Sequence, residues 1–231
     1  MTNKTFYENE SWEEIYNSLS PSFQSYLDTE EKFLMNRVEN GDRVLDVGSG
    51  TGRTIDSMLT AFSSSHITGI DIAAATVTAL RQKYAGNGNV KLEKASVCAL
   101  PESLGMFSKV LLPFNLLGNL TAHEQPVALE NILRVLEQTG VVIGSVYAES
   151  ALDYQRECYS ASLGFQIEGN DDRFIYCRTP NGNPFKSQRF TAAGIASLLK
   201  ESGLELTELH RPREGFYYLY AARRQEYFAK T

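Results

Sequence analysis

The chain has 231 residues, with 22 Lys and Arg against 28 Asp and Glu, a formal net charge of −6, and 42% hydrophobic and 22% charged residues. That length and balance suit one compact domain with a small appendage, and exclude a disordered or fibrous chain. The acidic balance, with no long run of either sign, disfavours nucleic acid as a partner, and with no apolar run of about 20 residues a membrane partner is not expected either.

No basic-then-apolar leader opens the sequence, so the expectation is a cytoplasmic protein. Cys98, Cys158 and Cys177 are odd in number, far apart and in no CxxC pair. They read as free thiols in a reducing compartment, and no metal is expected.

The first forty residues read as helical. Trp12, Ile15, Tyr16 and Leu19 fall at i, i+3, i+4 and i+7, and after the break at Ser20-Pro21 a second helix carries Leu34, Met35 and Val38 on one face. Arg43 to Val47 then reads as a short buried strand running directly into glycines. A helix through Ile55, Met58, Leu59 and Phe62 leads to a strand at His66 to Asp71. A helix through Val77, Leu80 and Tyr84 leads to a strand at Val90 to Lys94. A strand near Val110 to Phe114 precedes a helix bearing Leu129, Ile132, Leu133 and Leu136, which Gly140 is expected to stop before a strand at Val141 to Tyr147.

Strand and helix taking turns predict an α/β, Rossmann-like, doubly wound sheet, mostly parallel. Residues 151–190, rich in Asp, Asn, Arg and aromatic side chains, break the rhythm and read as a lid insertion. A helix from Thr191 and strands at Leu204 to His210 and Phe216 to Ala222, the last pair antiparallel, complete the pattern. The expected organisation is one domain: a helical cap at 1–40, a cofactor-binding core at 41–150, the lid at 151–190, and a closing helix and strand pair at 191–231.

The sharpest local signal is Val44-Leu45-Asp46-Val47-Gly48-Ser49-Gly50-Thr51-Gly52. Alternate glycines after a strand let the backbone pass close to a ligand, and the next helix offers unpaired amides at its start. Asp71 ends the following strand in Thr68-Gly69-Ile70-Asp71-Ile72, where a carboxylate can accept from both hydroxyls of a ribose. A nicotinamide dehydrogenase also places an acid there, but favours G-x-G-x-x-G; here the third glycine comes one residue early and Arg53 holds the later position.

The nonapeptide resembles the first motif of the class I S-adenosylmethionine-dependent methyltransferases, an acidic residue followed by x-G-x-G-x-G, and the order of elements from 41 to 222 resembles that family's seven-stranded sheet with an antiparallel last strand. The resemblance implies S-adenosyl-L-methionine as cofactor and S-adenosyl-L-homocysteine as product. It places Gly48, Ser49, Gly50, Gly52 and Ile72 around the cofactor, Asp46 toward its amino-acid end, and Asp71 at the ribose. Lys94-Ala95-Ser96-Val97-Cys98-Ala99-Leu100-Pro101 looks like the family's segment after the third strand, with Ser96 where an Asp usually meets the adenine amino group and the Val97 backbone beside it.

Leu111-Leu112-Pro113-Phe114-Asn115 should face the reacting centre from the end of the fourth strand. Pro113 and Phe114 are candidates to line the cofactor, Asn115 to hold an amine, and His123 to act as a base. Each also fits a plainer role in packing, a turn or an exposed loop. Candidate acceptor contacts are Tyr7, Trp12, Tyr16, Asn119, Tyr147 and Glu149, with Tyr154, Tyr159 and Tyr176 from the insertion.

This fourth-strand loop is not the N-P-P-Y or D-P-P-Y sequence of the nucleic-acid amino-methyltransferases. The resemblance is therefore to the small-molecule branch, which implies methyl transfer to a small molecule or short peptide, nitrogen favoured over hydroxyl. Two alternatives stay open: a tRNA or protein methyltransferase, expected to carry a basic stripe of Arg173, Arg178, Lys186, Arg189, Arg211 and Arg213, and a non-catalytic S-adenosylmethionine-binding partner. Oligomeric state is not legible in the sequence.

Overall fold

The computed structural model describes Asn3, Phe6, Tyr7 and residues 20–225. The helix expected through Trp12, Ile15, Tyr16 and Leu19 lies outside the described residues, as do the acceptor candidates Trp12 and Tyr16.

Helix α1 (Pro21–Met35) starts where Ser20 caps Phe23 N through its hydroxyl and Pro21 presets the first turn. Its buried face, Phe23, Tyr26, Leu27, Phe33 and Leu34, lies on the core, and each side chain of this size contributes roughly 1.5–3 kcal/mol when taken from water. The chain then enters β1 (Arg43–Val47), α2 (Arg53–Ala61), β2 (His66–Asp71), α3 (Ala74–Lys83), β3 (Val90–Lys94) and β4 (Phe107–Leu112). Next come the single-turn α4 (Leu116–Asn119), α5 (Glu124–Val135) and β5 (Leu136–Ala148).

Beyond β5 lie α6 (Leu152–Glu157), β6 (Gln166–Asn170), β7 (Phe174–Arg178), β8 (Pro184–Phe190), α7 (Ala192–Glu201), β9 (Leu204–His210) and β10 (Tyr217–Arg224). The main sheet runs β3-β2-β1-β4-β5-β10-β9. Its first five strands are parallel, and β10 is inserted antiparallel between β5 and β9. This is the doubly wound, mostly parallel sheet with an antiparallel end that the strand and helix alternation predicts. In its register Asp46 sits between Gly69 of β2 and Leu111 of β4, which brings the ends of these strands to one edge.

Two boundaries differ from expectation. Gly140 does not stop a helix: α5 ends at Val135, and Leu136 already opens the 13-residue β5, which carries Gly140 within it. A glycine close to the end of an apolar helical run looks like a C-cap, but here the chain stays extended because β5 pairs with β4 from Leu136 onward. Strand β4 likewise begins three residues earlier than expected and ends at Leu112, leaving Pro113 and Phe114 in the loop.

Residues 151–190 form α6, a single π-helical turn at Cys158–Ser162, and the antiparallel set β6-β7-β8. This set joins the main sheet: Tyr147 and Ala148, at the tip of β5 beyond the end of β4, pair in parallel with Arg189 and Phe190. Its buried Ile175, Cys177 and Phe185 belong to the same core as Phe23 and Tyr147. Among the described residues, no helix is long and apolar enough to cross a membrane.

Candidate cofactor and acceptor cleft

At the carboxyl ends of β1, β2, β3 and β4 a cleft of about 550 Å³ opens, within the range of small-molecule sites and at the edge where doubly wound sheets bind ligands. Its floor is Gly48, Ser49 and Gly50. The amides of Gly48 and Ser49 donate to Ile70 O at 2.8 and 3.0 Å, which fastens the loop to β2. Gly48 and Gly50 have φ of 76° and 51°, so the backbone turns here in a region that side chains rarely adopt.

Asp71 closes the β2 side. Its Oδ2 accepts from Gly50 N at 3.0 Å and its Oδ1 from Ala73 N at 2.9 Å. A carboxylate has about four acceptor sites, so capacity remains toward the cleft. Burial raises its pKa, and the amides of Ala73, Gly50 and Ile72 pull the other way. Ile72, Ser96 and Val97 continue the lining across the ends of β2 and β3, and Pro113, Phe114 and Asn119 form the β4 wall, with Tyr7 from the N-terminal segment.

Asp46 lies beneath this floor and does not line the cleft. It is fully buried, and neither carboxylate oxygen has a hydrogen-bond partner among the described residues. Desolvation pushes its pKa up to about 6, against the nearby Ser49 hydroxyl and the Arg53 cation.

Gly52 also sits outside the cleft. With φ 83° it starts α2, and a Cβ there would meet the Tyr84 hydroxyl at 2.4 Å. The Tyr84 hydroxyl donates to Gly52 O at 3.0 Å, so this glycine serves helix-to-helix packing.

The two residues expected to act on the acceptor are placed elsewhere. Asn115 is 1% exposed. Its Nδ2 donates to Ser187 Oγ at 2.9 Å and Gln188 O at 3.3 Å, its Oδ1 accepts from Tyr147 N at 3.0 Å, and its own amide donates to Ser145 Oγ at 3.3 Å. The side chain thus joins the β4 loop to β5 and β8 and has no amide atom turned to the cleft. His123 is exposed just ahead of α5 and outside the lining.

Tyr147 is buried beside Tyr26 and Tyr154. Glu149 is on the surface, where it accepts from the Tyr218 hydroxyl and pairs with Arg211. Tyr154 stacks on Phe216, Tyr159 is in the core, and Tyr176 donates to Asp171. No described residue of 151–190 lines the cleft. The expected lid is instead an extension of the sheet, because β8 is fixed to the tip of β5 and to Asn115.

Three of the six residues of the expected basic stripe are engaged within the fold. Arg189 is buried and bound to Gln155 and Asp171 O, while Arg178 and Arg211 pair with Glu168 and Glu149.

The residue that sequence reasoning missed is Glu30. It is fully buried on α1; its Oε2 pairs with Arg53 at 2.7 Å and its Oε1 accepts from Phe114 N at 2.7 Å and from the hydroxyls of Tyr26 and Ser145. Arg53, which lines the cleft, is held in place by this acid. Phe114 and Asn115 both have positive φ, 57° and 54°, a conformation that costs roughly 1–2 kcal/mol per residue without glycine. The signal for Glu30 was present: 23, 26, 27, 30, 33 and 34 make one helical stripe, and Glu30 is its single charged member.

Residues 44–140 match the model of a family described as methyltransferase domain. No curated protein matches the chain. Among solved structures, the CcbJ methyltransferase from Streptomyces caelestis aligns with TM-score 0.68 and 17% identity, over 95% of this chain and 98% of that one. The Burkholderia thailandensis 1,6-didemethyltoxoflavin-N1-methyltransferase, solved with 1,6-didemethyltoxoflavin and S-adenosylhomocysteine bound, aligns with TM-score 0.63 and 18% identity, over 88% of this chain and 85% of that one. The [4+2]-cyclase SpnF aligns with TM-score 0.63 and 16% identity, over 94% and 83%, so the same fold also carries other chemistry.

Proposed function

We propose that this chain is a class I S-adenosylmethionine-dependent methyltransferase that transfers a methyl group to a small-molecule or short-peptide acceptor, at an amine nitrogen in preference to a hydroxyl; the match of residues 44–140 to the methyltransferase-domain model and the fold shared with solved methyltransferases support this. The observation that carries this reading is the lining of the cleft: a side-chain-free floor at Gly48 and Gly50, the Asp71 carboxylate at one end, and a wall of Pro113, Phe114, Leu116 and Asn119, with Asn3 and Tyr7 from the N-terminal segment.

These residues fit S-adenosylmethionine. Asp71 retains acceptor capacity for two ribose hydroxyls, and the buried Asp46 lacks any hydrogen-bond partner among the described residues and gives the floor a negative charge suited to a cationic ligand. When bound, the cofactor supplies a sulfonium-activated methyl carbon for in-line displacement by a nucleophile. The chain's own task is to align the acceptor and exclude water, and alignment of this kind can lower a barrier by roughly 7–11 kcal/mol.

Phe114 packs against Phe23 and Tyr26 at centroid distances of 5.2 and 6.0 Å, so the wall beside the reacting atoms is backed by rigid aromatic packing. Nitrogen is favoured because an amine of modest pKa can enter unprotonated, whereas a hydroxyl requires a base. No histidine lines the cleft among the described residues. The size of the cleft and the pairing of Arg178 and Arg211 with carboxylates support a small acceptor over tRNA.

The test is transfer of isotopically labelled methyl from S-adenosylmethionine to matched amine and hydroxyl acceptors. Labelled amines, at a rate that rises as pH passes the acceptor's own pKa, are the expected result. Label on hydroxyls alone overturns the nitrogen preference, and cofactor binding without transfer to any acceptor favours the non-catalytic reading.

A further inference from the structure

We propose that Glu124, at the start of α5, recognises the exocyclic amino group of the cofactor's adenine, a task the turn after β3 does not perform with a side-chain carboxylate of its own. The inference rests on the cofactor reading above. The turn lines the cleft with Ala95, Ser96, Val97 and Cys98, none of them acidic. The Ser96 hydroxyl oxygen accepts from Cys98 N at 3.2 Å, and Ser96 O accepts from Ala99 N at 2.9 Å. Ser96 therefore shapes the turn; its hydroxyl keeps a proton and one lone pair, but as a neutral acceptor it is weaker toward an amino group than a carboxylate is.

Across from this turn, Glu124 lines the same cleft. Helix α5 is fastened to the turn by Asn131 Nδ2 donating to Cys98 O at 3.1 Å, and Cys98 Sγ lies 3.7 Å from Glu124 O as its donor. The Glu124 side chain is fixed by a reciprocal cap: its Oε2 accepts from Thr121 N at 2.8 Å while Thr121 Oγ1 accepts from Glu124 N at 3.1 Å. One oxygen is engaged there and the carboxylate retains further acceptor sites. Its negative charge is felt at the turn, where it adds to burial in raising the Cys98 thiol. Among the described residues that line the cleft, the carboxylates are Asp71 and Glu124, and Asp71 belongs to the ribose end. An ionised carboxylate only accepts hydrogen bonds, so it favours an amino group and repels a carbonyl oxygen at the same position.

The experiment compares calorimetric affinities for S-adenosylhomocysteine and its deaminated analogue S-inosylhomocysteine, in which a carbonyl replaces the adenine amino group, for the wild type and for Glu124→Gln. Glutamine retains an oxygen for the Thr121 cap but can present either an amide oxygen or an NH₂ to the base. The wild type should prefer S-adenosylhomocysteine by about tenfold or more, since a site built for a donor rejects the analogue that lacks it. In Glu124→Gln that preference should fall to within about threefold, through weaker binding of the adenine form and stronger binding of the deaminated form.

A folded Glu124→Gln that keeps the wild-type preference overturns the proposal, as does a wild type that binds both ligands equally. Should Glu124→Gln fail to fold, Glu124→Asp, which keeps the charge and withdraws it by one methylene, must narrow the preference for the proposal to stand. A wild type that binds neither ligand contradicts the cofactor reading itself.

Discussion

The carboxylate of Glu30 accepts the amide hydrogen of Phe114 at 2.7 Å, across a separation of 84 residues. The bond ties the N-terminal helix to the loop that walls the cleft, and the other oxygen of the same carboxylate holds Arg53 at 2.7 Å. Removing the acid would take from a mostly buried guanidinium its shorter ion pair, the one to Glu31 being 3.5 Å, and leave a left-handed backbone segment without its main tether. Glu30→Ala should therefore cost about 3–5 kcal/mol in denaturant unfolding, the range for breaking a buried pair. Glu30→Gln, which keeps an acceptor for Phe114 N, should recover part of the loss. In variants that remain folded, kcat should fall more than cofactor affinity, which steady-state kinetics beside calorimetry will resolve.

Asp46 makes stability depend on pH. Its folded pKa of about 6 stands above the unfolded carboxylate value, so the folded state binds the proton more tightly. The contribution to stability is fully present below the unfolded pKa of about 3.9 and is lost as pH rises through about 6. The whole swing is at most about 3 kcal/mol. Asp46→Asn should be more stable than the wild type at pH 7.5, and the difference between the two should shrink as pH is lowered from 6 to 4. Urea unfolding across that range measures it; a difference constant with pH contradicts the assignment.

Much of this architecture was legible from local pattern. The strands at His66–Asp71, Val90–Lys94 and Leu204–His210 have the bounds expected from the sequence, because turn residues directly precede each one: Ser63 to Ser65, Gly86 to Asn89, and Gly203. Cleft residues on the glycine loop and at Asp71 were legible for a related reason: their chemistry is carried by backbone and strand-end position, which a short motif encodes. Asn115 and Tyr147 were misread because a polar or aromatic residue near a strand end looks the same whether it faces ligand or interior. Only the long-range partners Ser187 and Gln188, more than 70 residues away, settle that Asn115 points inward. Glu30 was overlooked because a lone acid on a helix ordinarily faces water, although its place on the apolar stripe argued otherwise. Gly140 misled because a C-cap glycine and a strand glycine have the same sequence signature.

Asn115 and His123 should behave in opposite ways. Asn115→Ala removes the bonds to Ser187, Gln188 and Tyr147 N from a buried site, and should destabilise the fold by roughly 2–4 kcal/mol. His123→Ala removes an exposed side chain and should leave stability within about 0.5 kcal/mol and the pH–rate profile unchanged. A lost limb in that profile for His123→Ala would restore it as a base.

Gly52→Ala should destabilise by about 2 kcal/mol or more, since the new Cβ would lie 2.4 Å from the Tyr84 hydroxyl at a φ of 83°. Combining it with Tyr84→Phe should cost less than the sum of the two single changes, because the clash is with the oxygen that Phe lacks. Strict additivity in a thermal-unfolding cycle would show that the close approach is not the cause.

The central claim is that the cleft binds S-adenosylmethionine through Asp71. Calorimetry with S-adenosylmethionine and S-adenosylhomocysteine, on the wild type and on Asp71→Ala, tests it most directly. Saturable binding of both ligands by the wild type, weakened about tenfold or more in a folded Asp71→Ala, is the predicted result, because two hydrogen bonds to a carboxylate are lost. A folded wild type that binds neither ligand, or an Asp71→Ala variant that binds as tightly as the wild type, would contradict the account.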